Sequence, residues 1–145
     1  MIASLAKLRR LTPPQRRILY AAAVLIPLVA ARLRLGGMKR VRASMGPLRA
    51  HCASADALAA ARDIARLVSV AARHGLYRGE CLPTALALQW LLNRHGIESD
   101  LRLGVRRNGR LVEAHAWIEH RGVALIDGAD VHERFGAFDP LRHPG

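Results

Sequence analysis

Residues 81–96 combine a cysteine, an apolar helix and a glycine that can stop it. Apolar side chains surround this helix on nearly every side: Leu82, Ala85, Leu86, Ala87, Leu88, Trp90, Leu91 and Leu92. A helix that is apolar all round packs inside a core rather than on its surface. Pro83 suits the first turn, where its missing N–H is not needed, and Gly96 supplies a left-handed stop. The stretch therefore predicts a buried helix with Cys81 at its start.

Cys81 is a candidate nucleophile because of where this helix begins. Unsatisfied N–H groups and the positive end of the helix dipole meet at a helix start, and they favour a thiolate. The alternative is a small core hydrophobe, which is what most free cysteines are. Cys52 is the other cysteine, and no C-x-x-C motif suggests a zinc ribbon or a thioredoxin-type site. Nothing in the sequence indicates the oxidising compartment that a Cys52–Cys81 disulfide needs.

The positive charge is concentrated in the N-terminal third. The net charge is +12, yet residues 1–55 hold 11 Lys and Arg with no acid, and residues 56–145 hold 12 against 11 acids. This asymmetry is typical either of contact with an anionic surface or acidic partner, or of a solubilising face around helices. The basic third lacks the interleaved aromatic residues used for base stacking, so no nucleic-acid partner is predicted.

An apolar run with a proline, Pro27, occupies residues 18–31. It is shorter than the roughly 18–20 residues that a spanning helix needs. We expect an apolar helix over residues 18–35, kinked at Pro27, that docks on the domain or lies at a membrane surface. A signal peptide is the third alternative, but the dense positive charge over residues 32–42 would begin the mature protein and disfavours export. The predicted location is cytoplasmic, with membrane contact through residues 18–42 as a further expectation.

Glycine and proline divide the chain into two regions. Gly36-Gly37 and Gly46-Pro47 predict a linker. We therefore expect a basic helical segment with its linker over residues 1–50 and a catalytic domain over residues 51–145.

The hydrophobic period changes from 3.6 to 2 along the second region. Residues 58–72 carry an apolar stripe at helical spacing, with Ser54 or Asp56 as the cap and Gly75 as the end. After residue 100 apolar and polar residues alternate, which predicts strands over residues 101–106, 111–119 and 123–127. Asn108-Gly109 is a strong hairpin signal between the first two. The tail after Asp130 predicts a loop with one helical turn. Helices followed by an antiparallel sheet make an α+β fold.

The second hairpin has a geometric consequence for two polar residues. A three-residue loop centred on Arg121, with Gly122 left-handed, would place His115 directly opposite Asp127. A two-residue loop would instead pair His115 with Gly128. In the first register an imidazole and a carboxylate share one face of the sheet and can form a hydrogen bond.

Cys81, His115 and Asp127 then supply a nucleophile, a base and an orienting carboxylate. The backbone N–H of Cys81 is a candidate oxyanion donor, and the second donor stays unassigned. His115 and His120 lack the spacing of a helical metal-binding pair, and no H-E-x-x-H motif occurs. No metal is predicted. Taken singly, His115 also suits packing and Asp127 suits a turn.

Four blocks of sequence resemble the transglutaminase-like cysteine protease of lasso-peptide biosynthesis, which is the leader peptidase or B protein. They cover residues 81–88, 92–97, 103–105 and 114–119, and the Ala114-His-Ala-Trp block is fairly specific. The resemblance extends over about residues 54–140. It implies a papain/transglutaminase-like fold, in which a catalytic helix packs on a small antiparallel sheet.

By this resemblance the catalytic residues are Cys81, His115 and Asp127, and the thiol chemistry needs no cofactor. The activity implied is endoproteolytic removal of a leader peptide from a ribosomally made precursor. A separate ATP-using, asparagine-synthetase-like cyclase then joins the freed amine to an acidic side chain, as part of antibiotic biosynthesis. Some members carry a winged-helix leader-binding module, but residues 1–55 are too short, helical and Arg-rich for one. The chain therefore resembles the stand-alone protease half of a split system, with a separate leader-recognition protein as partner.

Two other functions are compatible with the same residues. Another transglutaminase-fold acyl transferase or amidase would use the same triad with a different acceptor. A basic, non-enzymatic scaffold protein would explain the charge asymmetry without thiol chemistry.

Overall fold

The computed structural model describes residues 10–47, 49, 56–75, 80–128 and 130–138. Three helices come first: α1 (Pro13–Ala43), α2 (Ala57–His74) and α3 (Cys81–Arg94). They are followed by β1 (Asp100–Asn108), β2 (Leu111–His120), β3 (Val123–Ala124), the single-turn helix α4 (Val131–Arg134) and β4 (Gly136–Ala137). The strands pair in the order β3-β2-β1-β4, and each pair is antiparallel. The predicted α+β class is confirmed.

Helix α1 is longer than the apolar run that predicts it. Thr12 and Gln15 form a reciprocal capping box at its start. Pro27 lies inside the helix, where the kink stays a prediction, and the residue with non-helical dihedral angles is Gly37, at φ 69° and ψ 178°. The fixed φ of proline is compatible with a helix, whereas only glycine takes a positive φ without a Cβ clash. Met38 to Ala43, which the sequence assigns to a linker, return to helical geometry.

The first turn of α1 is tied to α2 by a polar contact. Gln15 Nε2 donates to Asp63 Oδ2 at 3.0 Å, and Arg66 donates to Asp63 Oδ1 at 2.7 Å. The hydrogen bond from Arg66 and then that from Gln15 lower the pKa of Asp63 below its ordinary value. The charged carboxylate is therefore the form that holds α1 on α2.

We expect a small loss of stability in acid from this contact. A lowered pKa in the folded state contributes stability above the unfolded pKa, about 4 for aspartate, which disappears as the pH falls through the folded value. Asp63→Asn should lower the free energy of unfolding at pH 6 by no more than about 1 kcal/mol, because exposed ion pairs contribute little. Urea titrations at pH 6 and at a pH below the folded value measure this. If the free energies of unfolding of Asp63→Asn and the wild type differed by the same amount in acid, the role of the charge would be contradicted.

Helix α3 is the centre of the fold, as the sequence predicts. It has ten buried residues, and Leu86, Leu88 and Leu92 have no exposed surface. Its buried amides are used to hold loops: Gln89 donates to the Ser99 carbonyl at 3.2 Å, and Asn93 donates to the Met45 carbonyl at 3.2 Å. These bonds give a partner to each amide nitrogen, which would be costly to bury without one. The helix also ends as predicted, with Gly96 at φ 69°.

Helices α1, α2 and α3 share one core with the inner face of the sheet. Ile26 of α1, Leu67 of α2 and Ile118 of β2 all belong to it, and each is 1 % exposed. Asp56 lies at the cap position of α2 but makes no side-chain cap, and Gly75 follows its last residue, as predicted. The predicted boundary at residue 50 lies among residues outside the described ranges, as do Cys52 and the alternative cap Ser54.

The predicted hairpin between β1 and β2 is confirmed. Gly109, at φ 63°, occupies the turn, and Asn108 pairs with Leu111. Arg106 lies opposite Glu113 and bonds to it at 2.6 Å. Hydrogen bonds from Asn108 and then from Arg106 lower the pKa of Glu113. The hairpin is thus braced at the end that is exposed to solvent.

The two faces of β2 belong to different apolar clusters. Ala116 and Ile118 pack into the core with the helices. Trp117 points to the other face and forms a second cluster with Val131 and Phe135. Alternation along a strand separates these two sets.

Candidate active site

Cys81 is the first residue of α3, as the sequence predicts. Glu80 occupies the cap position with extended dihedral angles and makes no side-chain cap. Within the described residues, the backbone N–H groups of Cys81 and Leu82 have no protein acceptor. The Cys81 thiol is free and partly exposed, and it packs against the helical core. An oxygen anion placed beside the sulfur would therefore meet two backbone donors at a helix start.

His115 lies in the middle of β2 beside two aromatic side chains, Trp117 and Phe135, whose own ring centroids are 6.5 Å apart. Its ring stacks on Phe135 at a centroid distance of 4.9 Å and on Trp117 at 6.0 Å. The imidazole keeps 23 % of its surface exposed. Aromatic packing of this kind restricts the ring to one orientation while one edge stays open.

Asp127 reaches His115, although the predicted register is wrong. Arg121 and Gly122 form a two-residue turn with φ values of 51° and 78°, and Glu119 pairs with Ala124. Both positive angles identify the tight hairpin turn that matches the twist of antiparallel strands. Continued in this register, Asp127 would lie opposite Ala116 and point to the wrong face.

The contact forms because the chain leaves the sheet early. The predicted third strand over residues 123–127 is shorter, since β3 ends at Ala124 and a bend occupies residues 125–127. The bend brings Asp127 Oδ1 to 2.9 Å from His115 Nε2. Leu125 and Ile126 pack against the helical core, which fixes the path of the bend.

This hydrogen bond determines which nitrogen of His115 is available for chemistry. A carboxylate accepts hydrogen bonds only, so Nε2 carries the hydrogen and donates to Asp127. Nδ1 then holds the lone pair and has no partner among the described residues. The ring can therefore take a proton at Nδ1 while Asp127 holds the opposite nitrogen.

The structure brings two of the three predicted residues together. No hydrogen bond joins Cys81 to His115 or Asp127 within the described residues. Cys81 packs on the helical core, whereas His115 stacks with the outer aromatic pair. Proton transfer between the thiol and the imidazole therefore requires the two side chains to come together when substrate binds. The role of Cys81 as the nucleophile stays a prediction, as do those of His115 and Asp127.

A scan against protein-family models matched residues 22–138 to the transglutaminase-like superfamily. The chain belongs to the transglutaminase-like superfamily. The matched range includes most of α1, all of α2 and α3, and the whole described sheet. Proteins of this superfamily are typically enzymes of the cysteine-protease type. Comparisons with curated proteins and with solved structures gave no match.

The transglutaminase-like fold here contains supporting residues that the sequence does not reveal. Phe135, which stacks on His115, belongs to a tail without periodicity, and β4 pairs with β1 just beyond it. Gly104 lies opposite His115 in β1, and a Cβ there would lie 3.0 Å from Phe135 Cβ and from two ring carbons of Trp117. The glycine therefore lets both aromatic rings pack directly on β1.

Glu119 is a buried carboxylate with a different set of partners. It accepts a hydrogen bond from Trp117 Nε1 at 2.8 Å, and Arg102 and His132 lie at 3.6 Å and 3.3 Å from the same oxygen. These contacts compensate the cost of burying its charge. Glu119 thus anchors the indole that stacks on His115, and Asp127 is the carboxylate bonded to the imidazole.

The described residues contain no group of three His, Cys, Asp or Glu side chains that could hold a metal ion.

Proposed function

We propose that this chain is a cysteine endopeptidase that removes the leader peptide from a ribosomally made lasso-peptide precursor. The observation that carries the proposal is the bond between His115 Nε2 and Asp127, which leaves Nδ1 as the free base. Family membership and the position of Cys81 at a helix start support a thiol nucleophile. The choice of a lasso precursor rests on the resemblance of the Cys81 and Ala114-His-Ala-Trp blocks.

The proposed reaction begins with proton transfer. Nδ1 of His115 takes the proton of the Cys81 thiol, and the sulfur attacks the carbonyl carbon of the scissile peptide bond. The carbonyl oxygen becomes an anion that the backbone N–H groups of Cys81 and Leu82 stabilise. Collapse of this intermediate breaks the C–N bond, and His115 returns its proton to the leaving amine.

The second half of the reaction hydrolyses the resulting thioester. Water attacks the acyl carbon while His115 accepts a proton from it, and the thiol is regenerated with that proton. The products are a leader with a new carboxylate and a core peptide with a free amine. Asp127 holds the imidazole and stabilises its positive charge in both halves.

The proposed partners act in a fixed order, which depends on the free amine. The substrate is the precursor peptide, presented by a separate winged-helix leader-recognition protein. The product amine is then the substrate of an asparagine-synthetase-like cyclase. Cleavage must precede ring closure, because only cleavage creates the amine.

An isotope experiment tests hydrolysis directly. Precursor and recognition protein are incubated with the enzyme in water labelled with the heavy oxygen isotope, and the product masses are measured by mass spectrometry. We expect one heavy oxygen atom in the new carboxylate of the leader. A leader joined to an added amine, without heavy oxygen, would favour the acyl-transfer alternative, and an intact precursor would contradict the proposal.

A matched pair of glycine variants tests the aromatic support of His115. Gly104→Ala places a methyl group 3.0 Å from Phe135 and Trp117, so these rings must shift and tilt the imidazole. We expect kcat to fall about tenfold with little change in KM, because small misplacements of catalytic groups are costly.

Gly136→Ala is the control in the neighbouring strand. Its new Cβ would lie 3.5 Å from the Val105 carbonyl oxygen, which is an ordinary contact. Both variants should stay folded. Their free energies of unfolding should differ by no more than the cost of mild overpacking, about 1–3 kcal/mol. Equal kcat values for the two would show that the rings do not position His115.

A further inference from the structure

Helix α1 has two apolar faces, and within the described part of the chain only one of them is covered. The inner face packs into the core through buried residues: Leu19, Ala22, Ile26, Val29 and Ala30. The opposite side exposes four large apolar residues: Tyr20, Val24, Leu28 and Leu35, with exposed fractions of 61 %, 68 %, 48 % and 86 %. We call these four residues the outer stripe. At 1.5 Å per residue it is about 22 Å long.

Cations border the outer stripe on both sides. At 100° per residue, Arg16 and Arg34 project to one side of it and Arg32 to the other, and all three are exposed. Lys39 and Arg40, just after the break at Gly37, are exposed as well. No acidic residue occurs in residues 1–55. Apolar side chains between flanking arginines are the pattern of a helix that lies in the interface of an anionic bilayer.

A small cavity adjoins the outer stripe. It has a volume of about 210 Å³, and Leu28 and Arg32 form part of its wall, together with Val29, Met45 and Trp90. Its lining is mainly apolar, with one guanidinium. An acyl tail and a phosphate head group offer the matching chemistry, since an arginine can extend its charged end towards the head groups.

The packing of α1 decides between lying on a membrane and crossing it. By length and composition α1 is apolar enough to cross a bilayer. Crossing would remove Ala22 and Ile26 from the core, where they are 0 % and 1 % exposed. A helix held at the surface keeps this packing and buries only the outer stripe.

We infer that the outer stripe of α1 seats the protein on an anionic membrane surface, with the helix parallel to the bilayer and the cavity beside Leu28 open to an acyl chain. The inference is independent of the proposed peptidase activity. An acidic protein surface is the competing occupant, and the test below separates the two.

Vesicle flotation of the full chain provides the test. The wild type is mixed at low salt with vesicles of phosphatidylcholine alone or with added phosphatidylglycerol. We expect flotation only with the anionic vesicles, and loss of binding as salt screens the charges. The affinity of the stripe variant Val24→Ser/Leu28→Ser for anionic vesicles should fall by at least about tenfold. Arg32→Gln/Arg34→Gln should weaken anionic binding by a similar factor of about ten.

The hairpin offers a matched control. Leu111 and Val112 are 72 % and 67 % exposed, so Leu111→Ser/Val112→Ser removes similar apolar area outside α1. This variant should float like the wild type. Circular dichroism should show equal helix content in all variants, because the substituted residues are exposed.

Lipid quenching adds a measurement of which part of the bound protein touches the bilayer. Trp90 lines the cavity beside the stripe, whereas Trp117 is 1 % exposed on the other face of the sheet. Brominated lipids should quench the wild type and leave Trp90→Phe nearly unquenched. The inference fails if the wild type does not float with anionic vesicles, or if the stripe variant floats as the wild type does. Binding of an acidic protein through the stripe, with no binding to vesicles, would also overturn it.

Discussion

Cys81→Ala should abolish precursor cleavage while the protein stays folded. Removing the nucleophile of a triad lowers turnover by about five orders of magnitude or more, because the other members cannot act without it. The side chain is partly exposed at the first position of α3, so alanine should change the thermal midpoint little. Cleavage is followed by mass spectrometry with the recognition protein present.

Cys52→Ala is the matched control, since Cys52 is the other cysteine of the chain. It should cleave at the wild-type rate. Mapping of iodoacetamide adducts in the wild type adds an independent measurement, and Cys81 should be alkylated faster than Cys52. Undiminished cleavage by Cys81→Ala would remove the nucleophile assignment, and with it the proposed peptidase.

Asp127→Asn should lower kcat by about two orders of magnitude or more without unfolding the protein. Asparagine fills the same volume, but it lacks the charge that stabilises the protonated imidazole. Its amide can also present a donor to Nε2, which would favour the wrong tautomer of His115. The rate is measured with the same cleavage assay, and circular dichroism checks the fold.

Asp130→Asn is the control for this variant. Asp130 is exposed and bonds to Arg134 at 3.1 Å, so it lies on the same tail without touching His115. Its variant should keep wild-type kcat. A near-normal rate for Asp127→Asn would shift the orienting role to Asp130 or Glu119. Of these, Glu119 is already bonded to the Trp117 indole.

If the wild type left the precursor intact and Cys81 showed no thiol reactivity, a non-enzymatic role would gain support. The basic N-terminal third would then be the main functional feature of the chain. The vesicle experiment tests membrane binding by this region separately. The protein can therefore fail the cleavage test and still bind membranes, or the reverse.

The buried helix and the first hairpin could be predicted because their signals are local. The continuous apolar surface of α3 and its stop at Gly96 depend on a few neighbouring residues. The same holds for the alternation in β1 and β2 around Gly109. Each of these patterns has only one arrangement that buries its apolar side chains.

The fourth strand and the aromatic support could not be predicted, because they depend on distant pairing. Gly104 meets Ala137 across more than thirty residues, and only this pairing puts Phe135 over His115. The break in α1 at Gly37 was not predicted for a related reason. Pro27 is the stronger helix breaker in the sequence, yet the helical dihedral angles are interrupted at Gly37.

The sequence by itself determined the three polar residues and the elements that carry them. Cys81 begins α3 and His115 lies in β2, as the period of the apolar residues indicates, whereas Asp127, predicted to end the third strand, follows a shorter β3. Only the tertiary structure decided how His115 and Asp127 meet. The turn at Arg121 and Gly122 sets a register that would place His115 and Asp127 on opposite faces of the sheet. They meet because the chain leaves the sheet after Ala124. Such a bend is fixed by the packing of Leu125 and Ile126 on helices far away in the sequence, which no local pattern encodes.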